Sequence, residues 1–300
     1  MKSFHRSKSR YFFPVILLGV VFFFIGEKDG IAGKNFDNEL KSPVRITFGP
    51  ANNLIVSDYN ARSIYTIDRN KNKILKGFKI NGRPLAVAYL KGKYYVGNDT
   101  SDRIEVYTES GKIKSTFNGK VKKPNDMVID EKNKKVYVVD TKSSSVLLYS
   151  LEGVLSLTIT ENLTNPMGIA IDSINGLVYV SDYGDPASWK YPAIHIFDLS
   201  GIYTGTISGK LGMFGNRFSR PQGLAIDDNG YVFMVDCYSS EIMVFNGPGG
   251  ILVKTLSGFG TGPGRMALPY DIVLNKKTLD LFVTNNRGAS VEIFENGGQL

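Results

Sequence analysis

Downstream of residue 33, short apolar runs alternate with turns rich in Gly, Asn, Asp and Ser. Six of these runs open with a proline, and the prolines are spaced 40 to 55 residues apart: Pro43, Pro84, Pro124, Pro166, Pro221 and Pro269. Within a run the apolar positions alternate or are continuous, which is typical of strands, whereas a helix would place them three and four residues apart. Self-similarity at this period indicates a repeat architecture.

Each repeat contains the pattern of four strands. A second run ends in Asp or Asn 14 to 16 residues after the proline, in LIVSD, YYVGN, VYVVD, VYVSD, VFMVD and LFVTN. An aliphatic third run follows, and a fourth comes after a glycine turn, as in GKIKSTF and GILVKTL. Four short strands per repeat are typical of propeller blades. The sequence therefore predicts an all-β, six-bladed β-propeller over residues 33–300, with blades starting near residues 43, 84, 124, 166, 221 and 269.

The sixth repeat stops at GGQL, before a complete fourth strand. Residues 34–42 (KNFDNELKS) precede the first proline just as the fourth strands precede the others. We expect these residues to add to blade six as its outer strand, because an open sheet edge would invite aggregation.

The first 32 residues have the composition of an export signal. A basic segment, MKSFHRSKSR, leads into residues 11–25, which carry no charge. A spanning helix needs about 20 apolar residues, so this run suits the apolar region of a signal peptide, and GIA ending at Ala32 offers a cleavage site. We expect residues 1–32 to act as a signal peptide or a signal anchor. The propeller should then be periplasmic, secreted or held at the membrane through its N-terminus.

Charge and cysteine content exclude further kinds of functional site. The formal net charge is +8, and the first 32 residues contribute +3 of it. The remaining Lys residues are scattered along the chain, which favours an ordinary solvated surface and no nucleic-acid site. The single Cys237 excludes an internal disulfide and a thiolate metal cluster within this chain.

The repeats resemble those of the NHL family of six-bladed propellers. The segment SGKLGMFGNRFSRPQGLAIDDNGYVFMVD carries a Gly-rich loop, Phe218 three residues before Pro221, and a P-x-G-hydrophobic-A-x-D strand. NPMGIAIDSINGLVYVSD is a second copy, whereas repeats one and two lack P-x-G. The Asn-His pair that gives the family its name is missing from every blade, although Arg103 occupies the adjoining family Arg position. The resemblance implies the fold, but it leaves the function open because propellers host unrelated activities.

The residues at the ends of the second strands recur around the ring, and recurrence favours a structural role. We expect them to accept backbone N–H bonds in the turns: Asp58, Asn98, Asp140, Asp182, Asp236 and Asn285. Two residues after each proline, the six positions at the channel mouth are Arg45, Ala86, Asp126, Gly168, Gly223 and Asp271. Blades three and six are opposite each other, so Asp126 and Asp271 are predicted to face across the channel, with Arg45 beside Asp271. This trio is interpreted either as a structural charge cluster or as a site for a cation or polar ligand.

The loops on one face are candidates for binding. An insertion in blade four, YGDPASWKYPAIH, holds the only tryptophan. An exposed aromatic beside a cation is typical of an interface hot spot, but an inserted loop can also pack its aromatic down onto its own blade. The predicted binding residues are Trp189, Lys190, Tyr191, Arg217, Arg220 and Arg265.

Histidine limits the enzymatic alternatives. Only His5 and His195 are present, so neither the three-His zinc site of amidating lyases nor the His-based site of streptogramin-type lyases can be built. A calcium-dependent, lactonase-like hydrolase that uses Asp126 and Asp271 needs only oxygen ligands and stays open as the alternative. The leading hypothesis is an exported, monomeric, non-catalytic binding module without a cofactor. Its partner would be a protein or a glycan, and it would touch the membrane only through its N-terminal segment.

Overall fold

The computed structural model describes residues 40–71, 73–119, 121–210, 217–260, 262 and 264–300. Its strands form six antiparallel sheets, each made of strands consecutive in the chain. The first strands of the six sheets contact one another in cyclic order, and the first strand of the sixth sheet contacts that of the first. The ring is therefore closed, and the prediction of an all-β, six-bladed propeller is confirmed.

Five blades have four described strands and the sixth has three. The strands of blades one to three are β1 Pro43–Phe48, β2 Leu54–Asp58, β3 Ser63–Asp68, β4 Lys73–Lys79, β5 Pro84–Leu90, β6 Lys93–Asn98, β7 Arg103–Thr108, β8 Ile113–Thr116, β9 Pro124–Asp130, β10 Lys135–Asp140, β11 Ser145–Ser150 and β12 Leu155–Ile159. Those of blades four to six are β13 Pro166–Asp172, β14 Leu177–Asp182, β15 Ala193–Asp198, β16 Tyr203–Ser208, β17 Pro221–Ile226, β18 Val232–Asp236, β19 Glu241–Phe245, β20 Leu252–Leu256, β21 Pro269–Leu274, β22 Leu281–Asn285 and β23 Ser290–Phe294. Single 3-10 turns occur at Pro50–Asn52, Thr141–Ser143, Pro186–Ser188 and Gly247–Gly249.

The core is divided among the interfaces between blades. Six clusters of buried apolar side chains separate the six sheets, so both faces of every first and second strand are covered. This explains why those strands are nearly continuous in apolar residues rather than alternating. Leu40 is buried in the cluster between blades six and one, where it fixes the entry of the chain into the ring.

The predicted closing strand of blade six falls largely outside the described residues. Residues 34–39 are among those not described, and residues 40–42 are in no strand. The predicted export segment, residues 1–32, is likewise outside them. Within the described part of the chain, no helix has the length and apolar character needed to cross a bilayer.

An irregularity at the start of each blade shapes the channel. In all six blades the pairing between first and second strands shifts register close to the opening proline. Proline has no N–H to give to the ladder, and the residue after it has a carbonyl that bonds outside its own sheet. These six carbonyls surround the axis of the ring.

Candidate functional site

Arg45 fills the centre of the ring. It follows Pro43 by two residues in β1, and its side chain is fully buried. Its guanidinium donates from Nε to the Asn125 carbonyl (2.8 Å), from Nη1 to the Tyr270 carbonyl (3.2 Å) and from Nη2 to the Met167 carbonyl (2.6 Å). These carbonyls belong to blades three, six and four, so a single side chain joins four blades.

The other three carbonyls after the prolines are bonded by hydroxyl groups. Ser57 donates to Leu85, Ser181 to Gln222, and Thr284 to Val44, each from one blade to the next. Each hydroxyl side chain directly precedes the Asp or Asn at the end of a second strand. Blades two, three and five have Gly97, Val139 and Val235 at that position, and the carbonyls left without a hydroxyl are those that Arg45 reaches.

Two carboxyl groups complete the cluster of Arg45, Asp126 and Asp271, which we call the central cluster. Nη1 of Arg45 lies 3.5 Å from Oδ2 of Asp126 and 3.5 Å from Oδ1 of Asp271. Each Asp also accepts a backbone N–H of the next blade: Asp126 from Ile169 at 3.0 Å and Asp271 from Ile46 at 2.9 Å. The structure thus brings together the three residues that the repeat register placed at the channel mouth.

Burial changes the protonation of this cluster. It raises the pKa of Asp271 to about 8; the neighbouring Asp126 carboxylate adds to the rise and Arg45 opposes it. Burial also raises the pKa of Asp126, against the opposing effect of Arg45. One guanidinium cannot balance two buried carboxylates, so the cluster holds a proton at neutral pH.

Glycine is required at two of the remaining mouth positions. A Cβ on Gly168 would meet the backbone carbonyl of Gln222 in the next blade, and a Cβ on Gly223 would meet the Asp271 carboxylate. The neighbouring blades therefore approach too closely for a side chain. Only Ala86 in blade two has room for a methyl group at the equivalent place.

A channel cavity of about 190 Å³ extends away from the central cluster along the first strands. Asp126 and Asp271 line it together with apolar residues, among them Phe48 and Leu274 near the far ends of their strands. Its walls therefore combine two carboxyl groups with apolar side chains.

The central cluster does not fit a calcium ion. Calcium takes six to eight oxygen ligands, whereas both Asp126 and Asp271 are committed to the Arg45 guanidinium and to backbone N–H groups. Within the described residues, no group of three or more His, Cys, Asp or Glu side chains is placed to hold a metal. A cation between the two carboxylates would have to displace Arg45.

The carboxylates at the ends of the second strands organise one face of the ring. Asp182 accepts backbone N–H bonds from Thr164 (2.7 Å) and Asn165 (2.9 Å) before its blade, and from Gly184 (2.6 Å) in the turn after it. The equivalent residues each accept a backbone N–H from the loop that precedes their own proline: Asp58, Asn98, Asp140, Asp236 and Asn285. Asp58, Asn98 and Asp236 also accept one from the turn after the second strand. They hold together the loops that precede the prolines and the loops between second and third strands, which we call the proline face.

Trp189 is at the tip of a closed hairpin on the proline face. Asp185 and Lys190 exchange two backbone hydrogen bonds of 2.7 and 3.0 Å. Between them, Trp189 has a φ of 59°, in the left-handed region, and its side chain is 81% exposed. It therefore does not pack onto its own blade, which was the alternative that the sequence left open.

The other predicted binding residues are placed in different ways. Lys190 is exposed beside Trp189, while Tyr191 is half-buried beneath Lys210, whose Nζ lies 4.2 Å from the ring centroid. Arg217 is half-buried and donates from Nη1 to the Gly250 carbonyl of blade five (2.7 Å). Arg217 is therefore engaged by the turn between the third and fourth strands of blade five.

Arg220 and Arg265 are exposed in the loops that lead into blades five and six. Two further exposed aromatics on this face were missed by the sequence analysis: Tyr238, 74% exposed, and Phe259, 68% exposed. Tyr238 follows a second strand by two residues, where the other blades have Asn, Thr, Lys, Gly and Arg. An aromatic residue at this position is therefore the sequence signal that could have identified Tyr238.

His195 is remote from the channel. It lies on the third strand of blade four, and its Nδ1 is 2.8 Å from Oγ1 of Thr206 on the fourth strand. Burial lowers its pKa. The side chain is part of the contact between these two outer strands.

No protein-family model matches the chain, and no curated protein sequence matches it. Solved structures do. The chain is similar to Kuenenia stuttgartiensis hydrazine synthase, with a TM-score of 0.63 and 12% identity over 88% of this chain and 98% of that one. It is also similar to selenomethionine-substituted virginiamycin B lyase from Staphylococcus aureus, with a TM-score of 0.59 and 15% identity over 84% of this chain and 80% of that one. At such identities the likeness shows the fold alone, that of a β-propeller.

Proposed function

We propose that this chain is an exported propeller of the NHL type that acts as a non-catalytic binding module and captures a protein partner at its proline face. The observation that carries the proposal is Trp189. A large aromatic side chain is held in solvent at the tip of a hairpin, in a backbone conformation that costs a non-glycine residue about 1–2 kcal/mol. A left-handed φ also occurs directly before the third strands of the other five blades, at Arg62, Asp102, Ser144, Ser240 and Ala289. The exposure of the indole is therefore what carries the proposal.

The hairpin is supported from below. Lys210 lies over the Tyr191 ring, and the Gly209 N–H donates to the Pro192 carbonyl at 2.8 Å. These contacts fix the base of the insertion to the loop that enters blade five. A loop that is fixed at its base loses less conformational entropy when a partner binds, which favours affinity.

Export and family type enter the proposal from the sequence. The basic segment and uncharged run within residues 1–25, followed by Ala32, support passage to the far side of a membrane. The P-x-G strands of blades four and five support an NHL-type repeat. Neither hydrazine synthesis nor lyase chemistry is proposed for this chain, because its likeness to those proteins is one of fold.

The proposal is tested by photo-crosslinking from a single position. The full chain is produced with p-benzoylphenylalanine in place of Trp189, and a matched chain carries it in place of Ile174. Ile174 is 65% exposed in the same blade, in the turn between first and second strands at the opposite end of the sheet. We expect a discrete cross-linked protein from position 189 and none from position 174.

The competing outcomes are distinct. Equal cross-linking from both positions, or none from either, would refute a binding role for the proline face. A product that is sensitive to glycosidases and insensitive to proteases would replace the protein partner by a glycan. Persistence of the same product in a chain that also carries Arg220→Ala and Arg265→Ala would restrict the site to the hairpin.

A further inference from the structure

We infer that the surface bound at the proline face is an acidic surface of a protein. This inference rests on the proposed function and names the chemistry of the partner. It is carried by the separation of charge between the two ends of blades four to six, which the linear sequence hides because the Lys and Arg residues are scattered along it.

The proline face of these blades is strongly basic. Its described loop residues, 160–165, 183–192, 209–210, 217–220, 237–240, 257–260, 262, 264–268 and 286–289, contain six basic residues and two acidic residues, Glu161 and Asp185. The basic residues are Lys190, Lys210, Arg217, Arg220, Arg265 and Arg287. Five of them are exposed, whereas the Arg217 guanidinium is bonded to the Gly250 carbonyl in the turn 246–251, at the opposite end of blade five.

The opposite ends of the same blades have the reverse balance. Their turns, residues 173–176, 199–202, 227–231, 246–251, 275–280 and 295–300, contain two basic and four acidic residues. One of the two cations is paired there, with Nζ of Lys276 2.8 Å from Asp228. A field of one sign over one face steers the approach and orientation of an oppositely charged partner.

The side chains around the cations favour a protein over a polyanionic glycan or a lipid surface. Trp189, Tyr238 and Phe259 are exposed among them, on blades four and five and in the loop leading into blade six. Arg supplies three of the five exposed cations, although the whole chain contains more Lys than Arg. Exposed aromatics combined with Arg are the composition of protein interface hot spots.

The test uses charge reversal on the full chain and poly-L-glutamate as the probe. The first variant carries Lys190→Glu, Arg220→Glu and Arg265→Glu on the proline face. The matched control carries Lys112→Glu, Lys132→Glu and Lys277→Glu, three exposed residues in turns at the opposite ends of the blades. Both variants change the net charge equally and retain the N-terminal segment.

We expect the association rate of the native chain with poly-L-glutamate to fall about tenfold as salt rises from low to physiological concentration. The proline-face variant should bind at least tenfold more weakly, and the control variant should bind within about twofold of the native chain. Equal losses in both variants would overturn the inference. Tighter, face-dependent binding of polygalacturonate or of phosphatidylglycerol vesicles would also overturn it.

The native partner gives the second readout. The peptide cross-linked to position 189 should carry more Asp and Glu than Lys and Arg. If that position captures a protein through a neutral or basic segment, the acidic partner is wrong and the proposed function stands. If neither position 189 nor position 174 captures a specific protein, the proposed function is wrong, whether or not the chain binds poly-L-glutamate.

Discussion

Nη2 of Arg45 donates a 2.6 Å hydrogen bond to the backbone carbonyl of Met167, which lies in the blade on the opposite side of the ring. Arg45 also donates hydrogen bonds to the backbone carbonyls of Asn125 and Tyr270. In the other three blades the equivalent carbonyl accepts a hydrogen bond from a Ser or Thr hydroxyl of the preceding blade. One arginine thus takes the place of three hydroxyls, and the closure of the ring depends on it.

The first prediction concerns Arg45→Met. The change leaves three buried carbonyls and two buried carboxyl groups without their cation, and we expect the free energy of unfolding to fall by about 3–5 kcal/mol. Urea unfolding followed by far-UV circular dichroism measures it. Arg62→Met, at an exposed arginine of the proline face, should change stability by less than about 0.5 kcal/mol. Similar effects in both variants would contradict the role of Arg45.

The second prediction is a partial rescue. Val235 stands where blade six has Thr284, and a threonine there would direct a hydroxyl towards the Tyr270 carbonyl of the next blade, to which Arg45 donates in the native chain. In the Arg45→Met background, Val235→Thr should recover about 1 kcal/mol relative to its effect in the native chain. A double-mutant cycle by urea unfolding gives this coupling energy. A coupling of zero would show that the two donors do not substitute for each other.

The fold was readable from the sequence because its signals repeat. Six prolines and six Asp or Asn residues at matching intervals predicted the blades, and the ring order placed Asp126 opposite Asp271. Arg45 occurs once, and its partners lie 80 to 225 residues away along the chain, so no local pattern marks its three carbonyl bonds. Its role became visible only with the register shifts after the prolines.

The surface was less predictable for a related reason. The Lys and Arg residues are scattered in sequence and were interpreted as an ordinary solvated surface. Which turn lies at which end of a blade depends on the whole topology, and that topology gathers Lys190, Arg220 and Arg265 on one face. The exposure of Trp189 was equally undetermined, because the same insertion could have folded its aromatic inwards.

The third prediction follows from the pKa of Asp271, which burial raises from its ordinary value of 3.8 to about 8. Between these two values the folded chain keeps a proton that the unfolded chain has lost. Stability supplied by this group is therefore fully present below about pH 4 and is lost as pH rises towards 8. Asp271→Asn removes the titration, so its loss of stability between pH 5 and pH 8 should be smaller than that of the native chain.

Urea unfolding at several pH values measures this difference. The control is Asp228→Asn, a 62% exposed carboxylate paired with Lys276 at the opposite end of the ring. Its pH dependence should follow that of the native chain. If Asp271→Asn keeps the native slope, Asp271 is not the group that carries the buried proton.

The fourth prediction tests the close approach of blades four and five. In Gly168→Ala the new methyl group meets the backbone carbonyl of Gln222, which cannot rotate away, and we expect a loss of about 1–3 kcal/mol. Gly205→Ala is the matched control, because a Cβ at that fourth-strand position has no atom within 4 Å. It should be neutral or slightly stabilising. The measurement is the melting temperature of each variant by thermal unfolding. Equal melting temperatures would contradict the crowding at Gly168.

The last prediction separates binding from stability at Trp189. Asn tolerates the left-handed conformation that costs Trp about 1–2 kcal/mol, and the exposed indole makes little packing contact to lose. Trp189→Asn should therefore leave the free energy of unfolding unchanged or raise it by up to about 1 kcal/mol, while capture of the partner is lost. Tyr191→Ala, which removes the ring beneath Lys210, should instead lower stability. A clear destabilisation by Trp189→Asn would mean that the indole stabilises the folded chain. That result would contradict the proposed binding role of the hairpin.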